Sequence, residues 1–357
     1  MNNYQLSRFF STSYLEAKTR LISAAKKKGL YVRSYDLNMK GLQGEDLSMD
    51  TVEIGNRNCK NVLIILSGTH GIEGFSGSAC QLSLLDRLDT LELDKQFILL
   101  VHALNPFGFS FLRRTNESNI DVNRNFLDFD KEVHSNDEPE HSLIGKLRKT
   151  SNGVGKLALS LTLLTEIVRG NKVKVQKLIT EGQYVHEKDL FFGGFSSSKS
   201  ALIWQDLVAK YQDKEVYLLD IHSGLGMFGE GYVISHAKKD SVSFRNNNQY
   251  FDGLNLVHTS TDLSVSSTLN GNLSSSIPNP DNALVLEFGT YSGLKVLNAM
   301  AVENYHYWEN KNSIKYVKSR TQLKNTFTPN SKKWKHQIVE TFLTVLEKQK
   351  ALMAISQ

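Results

Sequence analysis

Short, nearly continuous apolar runs recur along the chain, and each one ends in glycine or in polar residues. Runs of this kind are typical of strands that are buried on both faces of a sheet. The predicted strands cover residues 61–66, 96–102, 216–219 and 283–288, and two further strand-like segments lie at residues 30–37 and 51–54.

Segments with helical periodicity separate these runs. Ser13, followed by Glu16, forms a capping-box pattern that predicts a helix ending at Gly29. Further helices are predicted at residues 78–88, 293–308 and 332–350. The alternation of strands and helices predicts an α/β fold, in which a mixed, largely parallel twisted sheet lies between helices.

Residues 127–200 interrupt this alternation. The segment begins polar and acidic and then acquires an apolar stripe at helical spacing. The members of the stripe are Leu157, Leu161, Leu164 and Val168. Because the segment holds too few apolar residues for a core of its own, we interpret it as a helical insertion within one domain that extends over residues 1–357.

Composition and charge favour a soluble globular protein and exclude few other classes. The chain has 357 residues, of which 40% are hydrophobic and 22% charged, and a net charge of +5. A charge this mild gives no reason to expect a nucleic-acid partner. Cys59 and Cys80 do not indicate a disulfide framework. Since neither a signal-peptide pattern nor a membrane-length apolar run is evident, we expect a cytoplasmic protein without a membrane partner. Nothing in the sequence indicates an oligomeric state.

Two phrases far apart in the chain have the composition of one metal site. Residues 68–73 have the sequence Gly-Thr-His-Gly-Ile-Glu, residues 220–224 have the sequence Asp-Ile-His-Ser-Gly, and each follows a predicted strand. A tight turn can direct His70 and Glu73 at one ion, and His222 would supply the third ligand from a neighbouring strand. Two imidazoles and one carboxylate leave a position for water, which is the pattern of a catalytic zinc site. Cobalt or manganese would suit the same ligands.

Further polar residues lie between and after these phrases. Arginines and asparagines are concentrated in residues 113–126, where guanidinium groups could grip a carboxylate or a developing oxyanion. Glu287 places one carboxylate inside an otherwise apolar strand, which is costly unless the group is paired or used. The alternatives are structural: Glu287 in a salt bridge, Asn123 as a turn cap, and Arg124 paired with Asp121 or Asp128.

The order of the motifs resembles that of a known superfamily. His-x-x-Glu after a strand, Asn-Pro-aromatic-Gly, Arg-x-Asn, Asn-Arg-Asn-Phe, Asp-Ile-His-Ser and a late strand glutamate follow one another as in zinc carboxypeptidases. The chain therefore resembles the carboxypeptidase A-like zinc metallopeptidase superfamily, which also contains the succinylglutamate desuccinylase and aspartoacylase deacylases. More narrowly, it is similar to an uncharacterised bacterial branch. The resemblance extends over about residues 50–310. It implies a phosphorylase/hydrolase-like mixed sheet with the site at the strand ends.

The resemblance also implies roles for the matching residues. His70, Glu73 and His222 would bind one zinc ion per chain. Glu287 would be the general base that activates water and then protonates the leaving amine. Arg114 would stabilise the tetrahedral oxyanion.

The residues that would bind the substrate are less sharply defined. Arg113 is the alternative to Arg114 for the oxyanion role and a candidate substrate-binding residue. The two arginines are adjacent, so the match to the family motif does not decide between them. Asn123 and Arg124 would hold a terminal carboxylate of the substrate. The candidates for a tyrosine that closes over the substrate are Tyr232, Tyr250 and Tyr291.

The leading functional hypothesis is a zinc-dependent hydrolase that cleaves a C-terminal amino acid from a peptide or peptide-like amide, with no organic cofactor. An N-acyl amino acid deacylase is the first alternative, since its substrates also carry a carboxylate. A metal-binding protein without catalysis is the second, and the presence of Glu287 argues against it. A serine hydrolase is disfavoured because residues 74–77 lack the Gly-x-Ser-x-Gly spacing.

Overall fold

The structure is a computed structural model that describes residues 4–131, 182–261 and 271–354. The predicted insertion at residues 127–200 falls largely outside these residues, and its apolar stripe at Leu157, Leu161, Leu164 and Val168 lies wholly outside them.

One mixed sheet of eight strands organises the described residues, in the order β1-β2-β4-β3-β5-β8-β6-β7. The strands are β1 (Tyr31–Lys40), β2 (Asp46–Gly55), β3 (Asn61–Ser67), β4 (Phe97–His102), β5 (Glu215–Gly224), β6 (Gly231–Ser235), β7 (Asn255–His258) and β8 (Ala283–Gly289). All the runs predicted as strands lie within these elements or overlap them.

The centre of the sheet is parallel. Strands β4, β3, β5 and β8 run in one direction, so their carboxyl ends meet at one edge. Antiparallel pairs join β1 to β2, β2 to β4 and β6 to β8, while β7 lies parallel to β6. The predicted α/β class with a mixed, largely parallel sheet is therefore confirmed, and the central edge is the natural place for a site.

All four helices predicted from the sequence are present among the eight α-helices of the described residues, within a few residues of their predicted bounds. They are α1 (Tyr14–Lys27), α2 (Gly74–Asp86), α3 (Pro106–Phe111), α4 (Lys199–Val208), α5 (Val242–Tyr250), α6 (Gly293–Asn310), α7 (Ile314–Phe327) and α8 (Lys332–Ala354). The sequence patterns did not predict the helices α3, α4, α5 and α7. They also did not predict β6 and β7, two short strands whose residues are partly exposed and lack a clear period.

The first helix begins and ends as its sequence predicts. Ser13 accepts a hydrogen bond from the backbone N–H of Glu16, and the Glu16 carboxylate in turn accepts from Thr12 rather than from Ser13. At the other end Gly29 has φ of +69°, which lets the N–H of Leu30 reach the carbonyl of Ala25. A glycine at this position closes the helix because it has no Cβ to strain.

Helix α2 begins four residues before the predicted start at residue 78, within the phrase Gly-Phe-Ser-Gly at residues 74–77. Glycine ordinarily disfavours a helix, so the two glycines weakened the helical signal of residues 74–77 in the sequence. Here close packing requires it, because a Cβ at Gly74 would overlap the Phe109 ring and one at Gly77 would overlap Ser67. Tertiary packing therefore overrides local propensity.

Apolar side chains cover both faces of the sheet. On β3, Leu63 and Ile65 face a core that includes residues of α1, α2 and α8, whereas Val62 and Ile64 face a second core that includes Trp204 of α4. These side chains are fully buried or nearly so, as expected for a central strand covered on both sides. None of the helices in the described ranges combines the length and the apolar character that a membrane span needs.

Candidate metal centre

A short 3-10 turn, Gly71–Glu73, begins four residues after the end of β3 and lies at the two predicted ligands that follow this strand. His70 precedes the turn and Glu73 ends it, so both side chains leave the backbone at the carboxyl edge of the sheet. Gly71 is required here because a Cβ would overlap the backbone of Gly108 at the start of α3. The close approach of two backbones therefore determines where both side chains lie.

The turn is also held by hydrogen bonds from a neighbouring loop. The N–H groups of Gly71 and Ile72 donate to the carbonyl oxygens of Arg114 and Arg113, at 3.1 and 2.8 Å. The side chain of Asn105 also donates to the Arg114 carbonyl, at 3.1 Å. This loop therefore fixes the backbone that carries His70 and Glu73.

The structure brings His70, Glu73 and His222 together. One ligand-type atom from each residue lies within 4.8 Å of the others, and all three residues are buried. The His222 Nδ1 atom lies 3.1 Å from Glu73 Oε2, and the two imidazole centroids are 5.0 Å apart. The donor set of two imidazoles and one carboxylate fits a divalent transition metal, and zinc in particular.

Burial and neighbouring charges hold two members of this cluster in the protonation states that a metal requires. Burial, together with the Arg114 guanidinium, lowers the pKa of His70 and favours its neutral form. Burial alone would raise the pKa of Glu73, but the adjacent imidazoles and Arg114 lower it, so the carboxylate stays ionised. Neutral imidazole and carboxylate are the ligating forms.

Two aspartates support the imidazoles from behind. Asp220 Oδ2 lies 2.6 Å from His222 Nε2, and its other oxygen accepts a hydrogen bond from Thr69 at 2.7 Å. Burial lowers the pKa of His222, but Asp220 and Glu73 together raise it well above the ordinary value. Asp121 Oδ1 lies 3.2 Å from His70 Nδ1. Carboxylates placed in this way orient metal-binding imidazoles and raise their basicity.

Arg114 lies against the same cluster. Its guanidinium is 2.8 Å from His70 Nε2, 3.4 Å from Glu73 Oε1 and 3.0 Å from Asp121 Oδ2. Burial alone would raise the pKa of Asp121, but Arg114 and His70 bring it well below its ordinary range. The arginine therefore places a fixed positive charge beside the candidate ligands.

Glu287 lies on β8 in direct register with His222 on β5. Its Oε1 accepts a hydrogen bond from the backbone N–H of Leu225 at 2.9 Å. Burial and the negative charge of Glu73 raise the pKa of Glu287 to about 7. A partly buried carboxyl group with a pKa near neutrality, beside a metal-type cluster, has the properties of a general base or acid.

Asn123 and Arg124 form a 3-10 turn that directly follows Asp121. Asn123 Oδ1 accepts a hydrogen bond from the N–H of Leu273, and the Arg124 guanidinium donates to the carbonyl of Asn123 at 2.7 Å. Both residues are largely buried, and the positive charge of Arg124 contributes to the lowered pKa of Asp121. The pair therefore lies next to the cluster through Asp121, without touching the candidate ligands in the contacts described.

Arg113 and Arg114 lie in two different environments. Whereas Arg114 faces the cluster, the Arg113 side chain is buried in an ion pair with Glu303 at 2.8 Å. Arg113 also donates to Asn119 and Asn304 and makes no described contact with the candidate ligands.

The three candidate tyrosines are also separated in the structure. Tyr232 donates to Glu230, Tyr250 packs against the core beneath α8, and Tyr291 follows β8 beside Phe228. None of these contacts involves the cluster within the described residues.

Sequence reasoning assigned neither Asp121 nor Asp220 a role at the metal site. A signal for Asp220 was present, since residues two apart on a strand share a face, and Asp220 precedes His222 by two. No comparable signal links Asp121 to His70, because the two are distant in sequence and meet only through the fold.

The fold and the site together define an α/β protein with a His-Glu-His cluster at the carboxyl edge of its parallel strands. The chain belongs to the family described as "Protein of unknown function (DUF2817)", whose model matches residues 10–341. A comparison with the curated proteins gives no match.

Several solved structures are similar to the chain. A carboxypeptidase A from Helicoverpa armigera is 14% identical with a TM-score of 0.49, over 88% of this chain and 74% of that one. A metallo-carboxypeptidase from Burkholderia cenocepacia is 12% identical with a TM-score of 0.45, over 83% and 68%. An aspartoacylase family protein from Mesorhizobium loti is 14% identical with a TM-score of 0.40, over 78% and 66%.

These proteins are of the kinds named by the resemblance in the sequence. At such identities and TM-scores the likenesses are distant, and they assign no metal, reaction or substrate to this chain.

Proposed function

We propose that the protein is a zinc-dependent hydrolase that releases a C-terminal amino acid from a peptide or peptide-like amide. One observation supports this most: the cluster of His70, Glu73 and His222 lies beside a partly buried glutamate, Glu287, in register with His222. Three protein ligands and an adjacent carboxyl group are the parts that metal-assisted hydrolysis needs.

His70, Glu73 and His222 would hold one zinc ion per chain. When bound, the ion would supply Lewis acidity toward water and toward the substrate carbonyl group. Asp121 and Asp220 would hold the two imidazoles in the orientation that binding requires. The fit of the residues rests on the donor atoms and their mutual distances in this chain.

Glu287 would take a proton from the attacking water and deliver it to the nitrogen of the leaving amine. Its pKa of about 7 leaves a large fraction of the carboxylate form at neutral pH and still permits protonation. The hydrogen bond from Leu225 leaves the other carboxylate oxygen for the proton transfer. General acid–base catalysis of this kind typically contributes about 10²–10⁴-fold to a rate.

Arg114 would donate hydrogen bonds to the oxyanion that develops on the substrate carbonyl, since its guanidinium already lies beside His70 and Glu73. Asn123 and Arg124 would hold the substrate carboxylate, close to the cluster but beyond Asp121. Arg113, occupied by Glu303, is not assigned to substrate binding.

An N-acyl amino acid deacylase would use the same groups. Such a substrate also places a carboxylate near its scissile amide, so Asn123 and Arg124 serve both reactions equally. The substrate panel below separates the two.

The test is hydrolysis by zinc-loaded protein of C-terminally free dipeptides, the same dipeptides amidated at the C-terminus, and N-acyl amino acids. We expect cleavage of the free dipeptides, loss of cleavage on amidation, and a rate about 10²–10⁴-fold lower in Glu287→Gln. Glu340→Gln, at an exposed position on α8, is the matched control and keeps the wild-type rate.

Two other outcomes change the conclusion. Cleavage of N-acyl amino acids alone would replace the peptidase by the deacylase. Absence of metal-dependent cleavage of any substrate in the panel would refute both.

A further inference from the structure

The loop of residues 113–114 holds the candidate metal ligands in two ways. Its carbonyl groups accept the N–H groups of the Gly71–Glu73 turn, at 2.8 and 3.1 Å. The Arg114 side chain then contacts His70 and Glu73 directly. Movement of this loop would therefore move both the backbone and the side-chain environment of two ligands.

The Arg113 side chain anchors that loop to a distant helix. It is 1% exposed, and its Nε donates to Glu303 Oε1 at 2.8 Å. Its Nη2 donates to Asn119 and Asn304, each at 3.1 Å, and its guanidinium carbon lies 3.4 Å from the centroid of the Tyr307 ring. The planar guanidinium is thus constrained both in its plane and across its face.

Glu303, Asn304 and Tyr307 all belong to α6, which begins shortly after β8 ends. The Arg113 contacts connect the 113–114 loop, which lies beside two candidate ligands, to α6. Helix α6 follows β8, the strand that carries the candidate base Glu287. Sequence position alone would not bring these parts together, because Arg113 and Glu303 are 190 residues apart.

A contribution to the stability of the fold is a weak explanation for the buried ion pair of Arg113 and Glu303. Replacing a buried ion pair by apolar side chains of similar volume is often neutral or stabilising, because the charges must lose their water. A buried ion pair that several hydrogen bonds hold in one geometry can instead be useful for the position that it imposes on the backbone.

We propose that Arg113 is a positioning residue of the metal centre, which acts through its pair with Glu303 to fix the 113–114 loop. This inference rests on the proposed function, since it assigns Arg113 to the placement of His70, Glu73 and Arg114. Arg113 itself touches neither substrate nor metal.

The test separates placement of the ligands from stability of the fold. Arg113→Met alone leaves Glu303 buried without its partner, so the decisive variant is Arg113→Met/Glu303→Leu, which removes both charges. Zinc affinity is measured by competition with a chromophoric chelator, and the unfolding free energy of the zinc-free protein by urea denaturation. Arg113→Lys keeps the charge but not the planar fork, and Arg8→Met, in an exposed pair with Asp86, is the control.

We expect the double variant to unfold at a urea concentration close to that of the wild type but to bind zinc about 10–100-fold more weakly. Arg113→Lys should change zinc affinity in the same direction, and Arg8→Met should leave it unchanged. Wild-type affinity in either Arg113 variant would overturn the inference and leave the proposed function standing. A wild-type protein that binds no zinc would overturn both.

Discussion

Asp220 offers the sharpest test of how the proposed metal centre orients one of its imidazoles. Its carboxylate is 1% exposed, lies 2.6 Å from His222 Nε2 and is held from the other side by Thr69. Asp220→Asn keeps an oxygen that can accept from the imidazole N–H but removes the negative charge. Asp220→Ala removes both the charge and the hydrogen bond.

The expected magnitude follows from this geometry. A short, buried, charge-assisted hydrogen bond belongs to the strong class, and loss of such a partner typically costs about 10–100-fold in metal affinity. We expect Asp220→Asn to lose about 10-fold in zinc affinity, because the orientation of His222 is kept, and Asp220→Ala to lose about 100-fold. These factors correspond to about 1.4 and 2.7 kcal/mol of zinc-binding free energy.

The assay is competition for zinc with a chromophoric chelator at neutral pH, together with circular dichroism to establish that each variant is folded. Asp206→Asn, at an exposed position on α4, is the matched control and should bind zinc as the wild type does. A zinc affinity in Asp220→Ala equal to that of the wild type would show that the carboxylate does not support His222 as a ligand.

Three further predictions follow from other parts of the structure. Glu287→Gln should retain zinc while losing hydrolysis, and loss of zinc from this variant would contradict a role limited to proton transfer. Burial lowers the pKa of His102 to about 4. The contribution of neutral His102 to the free energy of unfolding is therefore fully present above pH 6.5 and is lost as the pH falls toward 4. His102→Gln should therefore reduce the loss of unfolding free energy between pH 7.5 and 4 by about 3 kcal/mol, and an unchanged pH dependence in urea denaturation would contradict this. Gly71→Ala should weaken zinc binding at least tenfold, because its Cβ would overlap Gly108, and unchanged zinc affinity would show that the turn adapts.

The parts of the site that could be predicted from the sequence are local ones. His70 and Glu73 share one turn after a buried run, His222 ends another such run, and Glu287 interrupts a third. In each case a strand of clear apolar character determines where the polar residue lies, so these candidate residues could be identified before the fold was known.

The parts that could not be predicted depend on contacts between distant segments. Asp121 meets His70 only because their loops converge at the sheet edge. Arg113 and Arg114 are adjacent and chemically identical, yet one pairs with Glu303 on α6 and the other faces the cluster. A linear pattern carries no information on which neighbour faces which side of an irregular loop.

Weak patterns explain three of the elements that were not predicted. The edge strands β6 and β7 are short and partly exposed, so they show neither a continuous apolar run nor strict alternation. Helix α7 carries four basic residues among its fourteen, and its packing against α6 stabilises it more than its own sequence does.

The most direct test of the central claim is the metal content of the purified protein, measured by elemental analysis after exposure to zinc and gel filtration. The account predicts about one zinc per chain in the wild type and in His306→Ala, whose histidine lies on α6 in contact with Glu309. His70→Ala and Glu73→Ala should both lose the metal. A wild-type protein without zinc, or zinc retained in both ligand variants, would contradict the assignment of His70, Glu73 and His222 as the metal centre.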